Sequence, residues 1–398
     1  MITKNLNELV INSSAGYGKD KNTEEYDIPV AKVSNVNAYG HFHKSFEIRS
    51  FTEKEKNKLI ARDNDLFVVK SSGSKSNILS GKTALYKTNE HPELIASNFL
   101  LRLTPKEDEV NSKYLWYYLN SQVSKNYIKT IVGTTTYPNL KWNLYGKMPI
   151  PLPPLDQQKK IAAILDAADA YRQKTKTLIE NYDELAQSLF LDMFGDPVTN
   201  PKGWETKTLN DVCFKITDGT HHSPTPQDSG YPYVTAKHVK PFSLQFDAKP
   251  SYVDEKAHNE IYKRCTPEYG DVLYIKDGAT TGIACINTFK EPISMLSSLA
   301  LLKLNDNINN QYLCHWLNHG GIKQKLISEF MSGAAIKRYT IKKIKLFKLM
   351  VPIIDLQNQF AERVQAIEAQ KAQAQASLAQ AEDLFNSLLQ RAFKGELV

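Results

Sequence analysis

From Leu155 to Phe194 the chain carries neither glycine nor proline, and its apolar residues keep a seven-residue step at Ile161, Ala168, Thr175, Tyr182 and Leu189. A companion seam four residues on takes Leu165, Ile179, Ala186 and Met193, and is broken at Arg172. This is the a/d pattern of a coiled coil sustained over about five heptads, and at ~1.5 Å per residue the helix would be roughly 57 Å long. Asp156 is placed for an N-cap and Gly195 for the left-handed residue that ends a helix. A heptad seam is not stable in water, so this helix requires a partner of the same pattern.

The chain supplies one. A shift of 199 carries Pro153 to Pro352, Asp156 to Asp355 and Gln158 to Gln357, and the first seam to Phe360, Ile367, Ala374, Ala381 and Leu388. The companion seam becomes Val364, Lys371, Leu378, Phe385 and Ala392, so the basic interruption at Arg172 is copied as Lys371. The bland reading of this basic pair is snorkelling at the edge of the seam, which we prefer to a role in fixing register. The repeat extends outside the helices: Thr3–Leu9 matches Thr206–Val212, Asp65–Lys70 matches Asp271–Lys276, and Lys113-Tyr114-Leu115 with Leu119-Asn120 matches Gln311-Tyr312-Leu313 with Leu317-Asn318. Each half therefore reads as a mixed domain of about 150 residues followed by a long helix. Strands are expected at 65–70 and 96–103, and an amphipathic helix at 112–130 with Leu115, Tyr118, Leu119 and Ile128 on one side. Their counterparts are 272–275, 299–304 and 310–330, and the breaker cluster Gly195–Gly203 separates the halves.

The expected fold class is α+β: two similar mixed α/β domains separated by two long antiparallel coiled-coil helices, with an internal pseudo-twofold repeat. The expected boundaries are 1–152 for the first domain, 153–196 for the first helix, 197–351 for the second domain and 352–398 for the second helix.

Charge is unevenly placed along this frame. The two helices hold 12 acidic and 9 basic residues of the 43 and 50 in the chain, so the remainder carries ten excess positive charges. That favours a polyanionic partner for the domains. No run of eighteen apolar residues and no signal-peptide core is present, and Cys213, Cys265, Cys285 and Cys314 show no CxxC spacing. A cytoplasmic protein with reduced thiols and no membrane association is expected. Ser80-Gly81-Lys82-Thr83 looks like the end of a phosphate-binding loop, but Ser76 stands where its first glycine belongs. His41, His43, His221 and His222 lack carboxylate or cysteine neighbours at ligand spacing, so no metal site is expected. Asp254-Glu255-Lys256 is a lone D-x-K that a chain this charged supplies by chance, and no glycine-rich cofactor loop or methyltransferase motif is found.

Ile150-Pro151-Leu152-Pro153-Pro154-Leu155-Asp156-Gln157-Gln158, Met193-Phe194-Gly195-Asp196-Pro197, Asn200-Pro201-Lys202-Gly203-Trp204, Asp218-Gly219-Thr220-His221, Gly270-Asp271-Val272-Leu273 and the terminal Arg391–Leu397 together resemble the specificity subunits of type I restriction–modification systems. The resemblance spans the whole chain. It departs in the first domain, which lacks the Gly-Trp lead-in, and in the second proline motif, reduced to Pro352-Ile353-Ile354-Asp355. The family implies a non-catalytic chain in which each domain is a target recognition domain reading one half of a bipartite, asymmetric DNA sequence. The helices would set the unread spacer and dock two methyltransferase subunits, which restriction/translocase subunits join. S-adenosylmethionine, ATP and Mg would then belong to the partners, with no cofactor in this chain. A recognition subunit of a type IIB-like system and a coiled-coil scaffold that binds no DNA are the alternatives.

For contacts with double-stranded DNA, the polar loops beside the strands are the candidates. In the first half these are Lys70, Ser72, Ser74, Lys75 and Asn77, then Thr134, Thr135, Thr136 and Tyr137. In the second half they are Thr217, Asp218, Thr220, His221 and His222, then Lys276, Asp277, Thr280 and Thr281, then Lys337, Arg338 and Tyr339. Lysines and arginines there would meet phosphates, while Asn, Asp, Thr and His would reach base edges.

Overall fold

The computed structural model describes the chain apart from residues 1, 14, 17–25, 38, 43–44, 72, 75–76, 133–138, 332–337 and 398, and apart from the side chains of 13, 73–74 and 77–78. It divides into two compact units: residues 1–176 with 376–398, and residues 177–375. Each contains one globular domain and one half of each long helix.

In the first unit, Val10–Ser13, Leu100–Pro105, Leu66–Val69 and Thr83–Leu85 form a four-stranded antiparallel sheet in that order. Tyr26–Ala31 pairs antiparallel with Glu47–Phe51 on one side and parallel with Ile95–Ala96 on the other. Ile2–Asn5 lies antiparallel to Pro149–Leu152, so the strand that opens the domain is tied to the segment leading into the helix. The second unit repeats this topology. Its four strands are Cys213–Asp218, Leu299–Leu304, Val272–Ile275 and Ala284–Ile286, and its three are Tyr252–Val253, Tyr231–Val234 and Ser294–Met295. Thr206–Thr208 pairs with Lys348–Met350 as the tie. The strand expected at 96–103 is two strands, because the Leu100 amide turns back onto the Ser97 carbonyl.

The helix expected at 112–130 is likewise broken in two. Ser112–Asn120 and Gln122–Ile131 are split at Ser121, whose extended backbone frees its hydroxyl to accept from the Ser124 amide and cap the second piece. His319 marks the same break between Asn310–Asn318 and Gly320–Met331. Ser112–Asn120 is also buried nearly all round, not amphipathic, since Tyr114, Trp116 and Tyr117 join Leu115, Tyr118 and Leu119 in the core. Internally repeated asparagines hold these helices to their sheets. Asn120 accepts from the Thr83 amide and donates to the Thr83 carbonyl, and Asn318 does both at Ala284.

The long helices span Leu155–Phe194 and Ile354–Lys394. Asp156 is not the N-cap. The amides of Gln157 and Gln158 both bond the Pro154 carbonyl, which places Asp156 inside the first turn, where its charge suits the helix dipole. Gly195 does end the helix with φ +81, its amide bonding the Leu191 carbonyl, and Gly395 (φ +80) follows the second. Every seam position read from the heptads is buried or half-buried. Within the first unit Arg172 faces Phe385 and Lys176 faces Glu382, and within the second Asp183 faces Lys371 and Met193 faces Arg363, so the helix halves pair antiparallel in each.

One pair of side chains locks helix to domain in both units. Gln158 is buried; its Oε1 accepts from the Asn111 amide at 2.8 Å, and its Nε2 donates to the carbonyls of Pro153 and Glu109 at 2.9 and 3.3 Å. Gln357 repeats this, accepting from the Asn309 amide at 3.0 Å and donating to Pro352 and Asn307 at 2.7 and 3.2 Å. Asn111 and Asn309 cap Ser112–Asn120 and Asn310–Asn318, so a single buried amide fixes two helices relative to each other.

The basic interruptions differ. Arg172 does not snorkel: it is 5% exposed, its guanidinium pairs with the buried Asp169 and lies over the Phe385 ring, with Tyr39 on the other side. His41 Nε2 meets the other Asp169 oxygen at 2.9 Å. Burial works against the Asp169 carboxylate, but the bonds from His41 and Arg172 outweigh it and hold its pKa below the ordinary value. Lys371 keeps the expected behaviour, reaching across to the half-exposed Asp183 of the other helix.

Candidate nucleic-acid interface

In the second unit the described parts of the candidate loops meet at one end of the four-stranded sheet. In the second unit the central strand Val272–Ile275 ends at Lys276, whose amide bonds the Ser298 carbonyl and whose carbonyl accepts from the Tyr339 amide. Asp277 forms a bridge with Arg338, and their charges lie 3.9 Å apart. The loop after Cys213–Asp218 joins them through Thr220, whose amide bonds the Met295 carbonyl and whose carbonyl accepts from Ser297. That crossing requires Gly219, since a Cβ there would sit 1.9 Å from the Met295 carbonyl oxygen. Three segments far apart in sequence thus share one surface.

The side chains at this surface divide by burial. His221, His222, Thr280 and Arg338 are exposed, and Thr217, Thr220 and Asp277 are half-buried. Four candidates need correcting as exposed loop residues. Asp218 is buried and holds two cationic partners, Arg264 at 2.6 Å and Lys276 at 3.3 Å, with the His221 ring at 3.5 Å. Lys276 is 2% exposed, its ammonium spent on Asp218 and not offered to a phosphate. Thr281 is buried and bonds the Gly278 carbonyl within its own turn. Tyr339 is fully buried, stacked on Tyr274 and edge-on to Phe347, and acts as the anchor that leaves Arg338 on the surface.

Arg264 escaped the sequence reading. It closes the helix Glu255–Arg264, is 53% exposed, and reaches both Asp218 and, at 3.3 Å, His221. Its signal was the Lys263-Arg264 pair at the end of an amphipathic segment, but nothing in sequence brings it to residue 218. With Thr220, His221, His222, Asp254 and Lys256 it lines a concavity of about 550 Å³.

The first unit repeats the frame. Lys70 ends the strand Leu66–Val69, its amide bonding the Phe99 carbonyl and its carbonyl accepting from Leu140, while Ser71 bridges Asn139. Lys70 is half-buried. Ser74 and Asn77 lie in a two-residue hairpin pairing, 73–74 with 77–78. Ser72, Lys75, Thr134, Thr135, Thr136, Tyr137 and, in the second half, Lys337 lie outside the described residues.

Among the described residues no three His, Cys, Asp or Glu side chains are grouped as metal ligands, and no helix is long and apolar enough to cross a membrane. The four cysteines are free and buried, and burial pushes the thiols of Cys213, Cys265 and Cys285 up to about 12.

A twice-built α/β domain, each copy joined to a coiled-coil helix, defines a class of duplicated-domain proteins. The chain belongs to the type I restriction–modification DNA specificity family, whose domain model matches it twice, at residues 3–181 and 201–382. It is 25% identical over 317 residues to the type I restriction enzyme MjaIX specificity subunit of Methanocaldococcus jannaschii, covering 74% of this chain and 71% of that one. With the EcoKI specificity subunit of Escherichia coli K12 it shares 22% over 360 residues, covering 84% and 75%. Its fold matches the type I specificity subunit from M. genitalium with a TM-score of 0.56 at 15% identity, over 98% of this chain and 96% of that one. A chain from a study of assembly and conformational transition of a type I system matches at 0.56 and 17%, over 100% and 98%.

Proposed function

We infer that each sheet end reads one half of a bipartite, asymmetric DNA target, and that the paired helices set the unread spacer and dock two methyltransferase subunits. The observation that carries this is the repetition of the same backbone bonds and bridges at the same sheet end in both units, around Lys70 and Lys276, furnished with different side chains. An identical frame places both readers equivalently; different residues make the two half-sites differ. The basic excess outside the helices supports a phosphate-bearing partner. On this reading Arg338, Arg264 and Lys70 contact phosphates, and His221, His222, Thr220 and Thr280 reach base edges. No chemistry is asked of this chain: S-adenosylmethionine, ATP and Mg act on the methyltransferase and translocase subunits.

The test is a map of methylated adenines, by single-molecule sequencing, in cells carrying this chain with its neighbouring methyltransferase gene and in cells lacking this chain alone. A two-part motif that disappears with the deletion is expected. An active methyltransferase whose motif survives the deletion would refute the reading.

A further inference from the structure

The first unit carries a feature at its sheet end that the second does not. The turn at Ser97 that splits the strand leaves Phe99 with its ring 59% exposed, while its carbonyl is held by the Lys70 amide. Beside it the Lys82 carbonyl accepts from Val69, so Phe99 and Lys82 flank the end of the central strand from opposite sides. Both line a concavity of about 790 Å³ together with Lys32, Val33, Val36 and Asn98. The same backbone bonds in the second unit fall on Ser298 and Ile283, which offer neither an aromatic face nor a charge.

The charges around this concavity are unbalanced. Lys32 pairs with Glu47, whereas among the described residues no carboxylate lies within ion-pair range of the Lys82 ammonium. Burial, and then the neighbouring Lys125, push the Lys82 pKa down, the condition of a cation waiting for an anion. An apolar wall ending in an exposed aromatic ring, beside an uncompensated ammonium, has the chemistry of a nucleotide site: the ring covers sugar and base, and the ammonium meets the phosphate.

We propose that Phe99 and Lys82 form a nucleotide seat particular to the first domain, Lys82 holding one backbone phosphate of its half-site and Phe99 packing against the sugar and base edge of the adjoining nucleotide. This rests on the DNA-reading function inferred above, and it assigns the first domain a contact that the second must replace by other means.

The experiment measures affinity of the complete complex, this chain with its methyltransferase subunits, for its mapped target duplex across a KCl series. Lys82→Gln is expected to lower the slope of log affinity against log salt by about 1, the contribution of a single phosphate, and Lys82→Arg to restore it. Phe99→Ser, which installs the residue that the second domain tolerates at this position, is expected to cost about tenfold in affinity with the slope unchanged. If the unaltered complex binds its target but both variants stay within twofold with the parental slope, the seat is refuted and the DNA-reading function stands. If the unaltered complex shows no salt-dependent binding, both fall together.

Discussion

Replacing Gln158 by leucine isolates the joint between reading domain and helix. The substitution keeps most of the volume and removes both ends of the bonding group. The Asn111 amide loses its acceptor, which costs about 1–3 kcal/mol for a buried donor. The Pro153 and Glu109 carbonyls lose a donor, at roughly 0.5–1 kcal/mol each, because a carbonyl deprived of one partner is penalised less than an amide deprived of its only one. The sum is about 3 kcal/mol. For a unit of about 200 residues each kcal/mol moves the midpoint by roughly 2–4 °C, so a drop of about 9 °C is expected. Scanning calorimetry gives the midpoint, and amide exchange assigns the loss, since protection should fall first at 112–120, the helix that Asn111 caps. Gln357→Leu should do the same to 310–318 in the second unit. If Gln158→Leu unfolds within 2 °C of the parent with exchange unchanged at 112–120, the joint is not a joint and the argument from buried amides fails.

Other perturbations separate effects that look alike in sequence. Arg172→Ala strands the buried Asp169 carboxylate with His41 as its remaining partner and should cost about 3–5 kcal/mol, whereas Lys371→Ala, whose partner Asp183 is half exposed, should cost under about 1 kcal/mol; urea titration of both checks the contrast. His315 is buried against Phe242 and Phe360, and burial pushes its pKa down to about 4. The unfolded chain binds that proton near pH 6.5 and the folded chain does not, so stability is full above pH 6.5 and falls as pH drops from 6.5 towards 4, by about 3 kcal/mol in all. His238 and His258, also lowered by burial, add in the same direction, and His315→Leu should flatten the largest part of the pH dependence in a urea series run from pH 7 to 4.5. Removing one heptad from each helix, residues 181–187 with 369–375, deletes Asp183 and Lys371 together and leaves the Arg172 cluster intact. Methylome mapping should then show a shorter spacer with both half-site motifs unchanged; altered half-site bases would count against the helices as a ruler.

Much of the frame was legible because it is written periodically. A seven-residue step needs no tertiary information, and a repeat offset of 199 at the helices pairs Gln158 with Gln357, while the offset of 198 within the domains pairs Asn120 with Asn318, before any contact is known. What the sequence concealed depends on distant segments meeting. Arg172 reads as a flaw in an apolar seam until Asp169, Tyr39 and His41 close around it. Lys276 reads as a free loop cation until Asp218 arrives from another strand, and Tyr339 reads as an exposed aromatic until Tyr274 and Phe347 cover it. Conversely Phe99 was counted inside a strand, because a turn at Ser97 leaves no trace in hydrophobic pattern.

The two halves agree in the bonds that build the sheet end and differ in the side chains that furnish it. Backbone bonds at the sheet end are the same in both units: Lys70 and Lys276 each donate to the residue before the neighbouring strand, Leu100–Pro105 or Leu299–Leu304, and accept from Leu140 or Tyr339. The amides that fix helix to sheet and domain to rod helix are the same too. On that common frame Lys82 stands against Ile283, Phe99 against Ser298 and Asn139 against Arg338, substitutions of charge and shape at positions whose side chains carry little of the core. A frame held by buried amides and apolar layers lets such surface positions change at a cost of roughly 0.5 kcal/mol or less, so new DNA targets are reachable without rebuilding the fold. The exception is the cluster around Asp218, where the exposed Arg264 serves structure and surface at once while the buried Lys276 serves structure alone. Arg264→Ala should therefore lower both the stability of the second unit and its DNA affinity, while Arg338→Ala, whose ion-pair partner among the described residues is Asp277 at 3.9 Å, should lower affinity alone.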